Sequence, residues 1–413
     1  MVADDTPGAA WDDPTSLTPG PGFDEGQDPA PDVAPAVVAV VVTHDSGPWL
    51  EGCLAALGAQ DYPNLSVLVV DSGSSTDITG RVAAVLPSAY VRRLDTNVGF
   101  GPAASEVLAM VEGASHYLFC HDDVAPDGDA VRLMVEEAFR SNAGVVAPKL
   151  VSWDDPSRLL TVGLPVDKSG TPAVVVEPGE LDQEQHDAVR DVFLAPGGCT
   201  LVRADLFASL GGFDPAITAF GEDLDLSWRT QIAGARVLVA PAARVRHVEA
   251  MAHGQRRPPS AASATAAATG ATVERYIQRH RLRTVLVCYS LFNLLRVIPQ
   301  ILVLQAGELA YALSTGRRRQ AVAIVRAWQW NLGRLGDLRA ARRRLRAIRA
   351  LPDRDVRRLQ VRGSARISAF VRSRLGPGAE TRLWDASRTR LTESVPAGRL
   401  GIAVWVTMAV RSA

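Results

Sequence analysis

The sequence predicts an α/β fold, a mostly parallel sheet with helices on both faces, followed by a basic, mainly α-helical, membrane-associated region. Three observations predict it. Strand-type apolar runs alternate with helical patterns from Val37 to about residue 250, polar residues gather at the carboxyl ends of those runs, and the charge reverses along the chain. From Arg256 onward there are 30 arginines and 8 acidic residues, against 14 basic and 37 acidic residues before it. A net charge of −1 therefore conceals two parts near −23 and +22. That asymmetry predicts two modules, the second facing an anionic surface.

The first 35 residues are rich in Asp, Pro and Gly, lack an apolar segment and predict a disordered tail without a secretory signal. "VVAVVVT" (37–43) is a β-branched run of buried-strand type; Trp49, Cys53, Leu54 and Leu57 then mark one face of a helix near 48–58. "LSVLVVD" (65–71) is the second strand, followed by a turn-rich "SGSSTD" and a helix near 77–86. A weaker strand near 89–94 leads through "DTNVGFGPAAS" into a helix ending about residue 112. "HYLFC" (116–120) and "GVVAP" (144–148) are further strands, 150–195 reads as a loop or small hairpin excursion, and "CTLVR" (199–203) returns to strand. "FGEDLDLSWRTQIAG" (220–234) predicts a loop entering a helix that Gly234 stops, with Leu224, Trp228 and Ile232 on one face and Asp225 paired to Arg229. "ARVLVAP" is the last strand and delivers "RVRHV" (244–248). The Ala, Ser, Thr and Pro mixture beyond it reads as a linker, which sets boundaries of 1–35, 36–255, 256–273 and 274–413. Cys53, Cys120, Cys199 and Cys288 have no paired spacing and read as buried thiols of a reducing compartment.

"LFCHDDVAP" (118–126) ends an apolar strand on an imidazole and two carboxylates. Crowding like charges is costly unless a cation, or a ligand carrying one, sits among them. From these residues alone two readings stand open: Asp122 or Asp123 caps a following helix, or the trio lines a ligand site. Sheets of this kind bind ligands outside the carboxyl ends of their strands. Thr43 and Asp71 fall at those same ends, which favours the ligand site.

The order of "VVVTHD", "VLVVDSGSSTD", "NVGFGPAAS", "LFCHDDV", "GGCTLVRADLFASLGGFDP", "FGEDLDLSWR" and "VRH" resembles the family 2 glycosyltransferases, inverting nucleotide-sugar transferases of the GT-A fold, over about residues 37–250. The resemblance implies that Thr43 and Asp45 meet the nucleotide base and that Asp71 accepts a hydrogen bond from it, a turn-forming role being the alternative for Asp71. It implies that Asn97 and Gly99 lie on the loop that approaches the nucleotide. "HDD" stands at the family's Asp-x-Asp metal motif, with His121 replacing the first Asp. Asp123 then corresponds to the metal ligand, Asp122 to a ribose or phosphate contact, and His247 to the histidine that completes the metal site. The implied cation is Mn²⁺ or Mg²⁺, and imidazole moves the preference toward Mn²⁺. Glu222-Asp223 matches the acceptor-side acidic pair, with Asp223 the general base and Glu222 next in line. The implied partners are a UDP- or dTDP-linked sugar donor and a glycan or glycolipid acceptor.

Residues 284–313 are largely apolar but broken by Asn293, Arg296, Pro299 and Gln300. They predict two short interfacial helices or one re-entrant hairpin, with a strained membrane span as the remaining option. "GRRRQ" and "LRAARRRLRAIRA" suit an anionic lipid surface, and arginine without lysine or interleaved aromatics argues against nucleic acid. The terminal "GIAVWVTMAV" reads as the start of a hydrophobic helix, as if the chain were the front of a larger membrane protein. "RAWQW" (326–330) does not match the Gln-x-x-Arg-Trp motif of processive synthases, so single-residue transfer is expected. The expectation is an inverting glycosyltransferase at the cytoplasmic face of the cell membrane. A non-catalytic sugar-nucleotide-binding module is the rival, resting on the His121 departure.

Overall fold

The computed structural model describes residues 34–251, 253–256, 266–361, 363 and 365. The expected tail up to residue 33, the 257–265 part of the expected linker and the terminal "GIAVWVTMAV" lie outside the described residues.

The alternating patterns form β1 (Val37–Thr43), α1 (Leu50–Gly58), β2 (Leu65–Ser72), α2 (Thr79–Val85), β3 (Tyr90–Leu94), α3 (Phe100–Ala104), α4 (Val107–Met110) and β4 (His116–His121). Next come β5 (Val124–Pro126), α5 (Ala130–Arg140), β6 (Ala143–Ser152), β7 (Leu159–Thr161), β8 (Arg190–Asp191), β9 (Cys199–Arg203), α6 (Ala204–Ser209), α7 (Glu222–Ile232) and β10 (Arg236–His247). The continuous apolar run of β1 is buried throughout, as a strand covered on both faces requires. The order in the sheet is β3-β2-β1-β4-β9-β6-β10-β5, with β7 on β6 and β8 on β10.

The sheet is more mixed than expected. β3, β2, β1 and β4 run parallel, and β6 is parallel to β10. β9 is antiparallel to both its neighbours, and β5, β7 and β8 are antiparallel as well. A parallel partner needs a crossover, usually helical. No helix separates β6 from β9, so the excursion through β7 and β8 returns the chain in the opposite direction. Hydrophobic patterning carries no information on strand direction.

On one face of the sheet an aromatic cluster fills the space under α3 and α6. Phe119 lies 4.6 Å from Phe207 and 5.1 Å from Phe213, ring centre to ring centre, and Phe100 reaches Phe213 at 5.9 Å. Cys120 and Cys199, far apart in sequence, meet across β4 and β9 with their sulfurs 3.8 Å apart as free thiols.

The basic part continues as α8 (Ala266–Cys288), α9 (Leu291–Ser314), α10 (Arg318–Leu332) and α11 (Leu335–Ile348). Residues 266–273, expected as linker, belong to α8. The apolar stretch 284–313 is divided only once, at Tyr289-Ser290, where the Ser290 hydroxyl caps α9. α9 is thus one helix and not two short ones. Pro299 lies on its exposed side, where water can serve the carbonyl that proline leaves without a donor. The expected α7 face of Leu224, Trp228 and Ile232 does not close the sheet alone; it shares a core with Val285, Tyr289, Leu294, Val297 and Leu345 of the later helices. Trp228 stands edge-on to Tyr289 at 4.9 Å.

Gly99 joins two halves of this architecture. Its φ of +87° is a conformation that L side chains rarely adopt, and a Cβ there would lie 1.9 Å from the Thr218 carbonyl oxygen. Gly99→Ala is therefore expected to lower stability by about 2 kcal/mol or more, read by urea denaturation as a lower midpoint. An unchanged midpoint would show that the 97–101 loop is free to move away.

Candidate active site

Parallel register aligns the carboxyl ends of β1, β2 and β4, pairing Thr43 with Asp71 and Val42 with His121. The Thr43 hydroxyl donates to Asp122, which is fully buried. Asp71 is also fully buried: its Oδ1 accepts from the Ser74 N–H at 2.9 Å and its Oδ2 lies 3.7 Å from Arg93 Nε. The turn-forming role weighed for Asp71 is thus real, and it leaves the second oxygen beside a cation. Asp45, at φ +44°, accepts from the N–H and hydroxyl of Ser75, both at 2.8 Å, and these bonds hold its carboxyl below the usual range. Asn97 Oδ1 accepts from the Gly99 N–H at 2.9 Å. The space that Gly99 provides is occupied by Thr218, so the protein's own loop already accounts for the glycine.

Neither Asp122 nor Asp123 caps a helix, because the short strand β5 follows them. β5 turns back antiparallel to β10, pairing Val124 with His247. That pairing brings His247, more than a hundred residues away in sequence, against Asp123. The Asp123 Oδ1 lies 3.4 Å from His247 Nε2 and 3.8 Å from His121 Nδ1, while Oδ2 accepts from the Ala250 N–H at 2.9 Å. Burial pushes the Asp123 carboxyl up, but His247, His121 and the Ala250 N–H together hold it well below the usual carboxylate range. His121, wedged between Phe100 and His247 with ring centres at 4.7 and 5.6 Å, is driven by burial down to about 4 despite Asp123. One ligand atom from each of His121, Asp123 and His247 lies within 4.8 Å of the others. Two imidazoles converging on a carboxylate form a donor set that fits a divalent cation of the first transition row. Asp122 stands apart from this trio. It is ion-paired with Arg256, and burial still raises its pKa.

Across a narrow recess from His121 lie Glu222 and Asp223. The recess is lined by Phe100, His121, Gly197, Gly198, Glu222 and Asp223, among others. Asp223 accepts from the Gly197 N–H at 3.2 Å and the Leu224 N–H at 2.8 Å. Glu222 has a buried Oε2 that makes no hydrogen bond. Burial raises both acids, and the Asp223 charge adds to the rise of Glu222, to about 8. The two N–H donors oppose the rise of Asp223, while the Asp223 charge adds to that of Glu222, so Asp223 is the acid of the pair that ionises first. The expected pair of Asp225 with Arg229 is present and buried, at 2.6 Å.

Sequence reasoning missed three contributors. Gly197 and Gly198 form the floor between the two groups: a Cβ on Gly197 would sit 3.8 Å from Asp223 Oδ2 and 3.8 Å from His121, and one on Gly198 would sit 3.0 Å from His247. The Gly-Gly pair was visible in "PGGCTLVR", but no local pattern says what it faces. Arg256 was visible only as the first charge of the basic part.

The Glu222 proton makes a pH prediction. The folded chain holds it up to about pH 8, whereas an unfolded glutamate releases it near 4.5. Between those values the folded state binds the extra proton, so this group's contribution to stability falls as pH rises. Glu222→Gln should flatten that decline: melting temperatures measured from about pH 5 to about pH 8 should fall less in the variant than in the parent. Parallel declines would place the Glu222 proton elsewhere.

The family model described as "Glycosyl transferase family 2" matches residues 38–211. The N-acetylglucosaminyl-diphospho-decaprenol L-rhamnosyltransferase of Mycobacterium tuberculosis, in strains CDC 1551 / Oshkosh and ATCC 25618 / H37Rv, is 31% identical over 246 residues, covering 54% of this chain and 78% of the relative. Among solved structures, S. aureus TarS 1–349 aligns at 14% identity over 72% of this chain and 92% of its own, with a TM-score of 0.40. GalNAc-T7 with UDP, GalNAc and Mn²⁺ aligns at 15% identity over 52% and 44%, with a TM-score of 0.44. These two likenesses are distant and add nothing to the assignment. The identity with the rhamnosyltransferase, held over most of that protein's length, establishes that this chain belongs to glycosyl transferase family 2 and is a glycosyltransferase.

Proposed function

We propose that the protein is an inverting, metal-dependent glycosyltransferase. It moves one sugar from a UDP- or dTDP-linked donor to a lipid-linked glycan acceptor of the cell envelope, at the cytoplasmic face of the membrane. One observation carries the reading: His121 of the cation-type trio and Asp223 of the acid pair face each other across Gly197, with no side chain between them. Inversion needs a leaving-group site and a base on opposite sides of the anomeric carbon. The similarity to a rhamnosyltransferase named for a lipid-diphosphate acceptor supports the acceptor class.

In this reading Thr43, Asp45, Asp71, Asn97, Gly99 and Asp122 hold or shape the nucleotide side. His121, Asp123 and His247 would hold the cation, and two imidazoles favour Mn²⁺ over Mg²⁺. When bound, the cation offsets charge on the departing diphosphate. Asp223, the first of the pair to ionise, takes the proton from the acceptor hydroxyl as it attacks.

The membrane reading rests on α9. Leu294, Val297 and Ile301 are buried against the protein, whereas Leu291, Phe292, Leu295, Leu302, Val303 and Leu313 are exposed. Among the described residues α9 is the one helix with the length and apolar composition to cross a membrane, but one of its faces already packs on protein. A helix of that kind lies in the interface with its free face in lipid, and the exposed arginines of α10 and α11 suit anionic headgroups.

At the site two outcomes are expected. Asp223→Asn keeps donor affinity but loses about 10²–10⁴-fold in transfer rate, while Asp123→Ala loses the Mn²⁺-dependent part of donor binding in calorimetry. Near-normal turnover in the first, or unchanged affinity in the second, would overturn the respective role. Replacing exposed Leu295 and Val303 by Glu should weaken co-sedimentation with phosphatidylglycerol vesicles at an unchanged melting temperature. Added salt should loosen binding of the parent without abolishing it, because salt screens charge and not apolar burial. Equal sedimentation of parent and variant would move the membrane contact off α9.

A further inference from the structure

The turn that delivers Glu222 and Asp223 is a costly one. Phe220 has φ +59° and Gly221 φ +104°, two left-handed residues in succession, the first carrying a bulky side chain. Such a conformation persists only where its surroundings over-determine it. On one side, the Thr218 carbonyl accepts from the Phe100 N–H at 3.1 Å, tying the segment to the donor-side loop. On the other side stands α8. The fully buried His280 faces the carbonyl oxygens of Ala219 and Phe220 with Nδ1, at 2.7 and 2.9 Å. Its Nε2 accepts from Arg279 Nε at 3.0 Å, so the ring is neutral with its proton on Nδ1. A Cβ on Gly221 would lie 3.3 Å from the His280 Cβ, which leaves the turn no room to retreat. One helical turn later, Arg283 grips Asp214 through two parallel bonds of 3.0 Å, both residues buried. Asp214 in turn accepts from the Ala216 N–H at 3.0 Å and so begins the same segment.

We propose that His280 and Arg283 are positioning residues for Glu222 and Asp223, so that α8 is part of the catalytic unit and not only a route to the membrane. The inference rests on the reading of Asp223 as base, but its structural half stands apart from that reading. His280 touches no reacting atom. It holds the carbonyls of a strained turn, and the turn sets where the next two side chains point.

Hydrogen–deuterium exchange and turnover on the full chain test this together. In His280→Ala, exchange in 219–225 should rise at least ten-fold while β1 stays protected, because only the clamped turn is released. His280→Asn, whose side-chain N–H can replace Nδ1–H, should restore protection. Release of nucleoside diphosphate from UDP- and dTDP-linked sugars with Mn²⁺ should show kcat reduced about 10- to 100-fold in the Ala variant, at an unchanged donor KM. Should His280→Ala not fold, Asp214→Asn, which keeps the shape and weakens the Arg283 grip, carries the same readouts. Parent-like exchange in 219–225, uniformly faster exchange across the sheet, or an Asn variant no better than Ala would each overturn the proposal. If Asp223→Asn turns over normally while His280→Ala still loosens the turn, the base assignment fails and the positioning role of α8 stands.

Discussion

Five carboxylates crowd the carboxyl edge of one sheet, and the need to partner each of them organises the molecule. A buried charge without a partner costs several kcal/mol, so each acid has its own solution. Asp71 takes a backbone N–H and the neighbourhood of Arg93; Asp122 takes Thr43 and Arg256. Asp123 takes two imidazoles and a backbone N–H. Glu222 holds its proton up to about pH 8, and Asp223 takes two N–H donors. The five solutions differ, and so do the chemistries they leave available.

The edge is also narrow, and glycine makes it so. Gly197 and Gly198 bring β9 between the trio and the acid pair without a side chain to separate them. The aromatic cluster of Phe119, Phe207 and Phe213 packs beneath, with Phe100 turned toward both Phe213 and His121. A rigid apolar wall of this kind keeps the two charged groups from relaxing into water. It is also the source of the raised acids and the lowered imidazole.

The basic third of the chain enters this economy of charge more deeply than its composition suggests. Its exposed arginines and the outward face of α9 belong to a surface. Two of its buried residues reach the segment before the acid pair: Arg283 partners Asp214, and His280 bonds the turn before Glu222. The helices divide the two roles, α8 turned inward and α9 to α11 outward, because a buried arginine and an exposed one share a charge but not an environment.

Much of this was legible in the sequence. The β-branched run of β1, the apolar face of α7 and the stop at Gly234 follow from local patterning, which burial writes directly into residue type, while the order of the acidic motifs was legible through the family resemblance. Asp225 with Arg229 was legible because four residues apart on a helix is a fixed geometry. What the sequence left open depends on chain direction and register. The antiparallel return of β5 that sets His247 against Asp123, the meeting of Cys120 with Cys199 and the approach of Gly99 to Thr218 are of this kind. So is the docking of α8 on the turn before Glu222. Each joins segments far apart in the chain, where no spacing rule applies, and only the closed tertiary structure decides which residues share a neighbourhood.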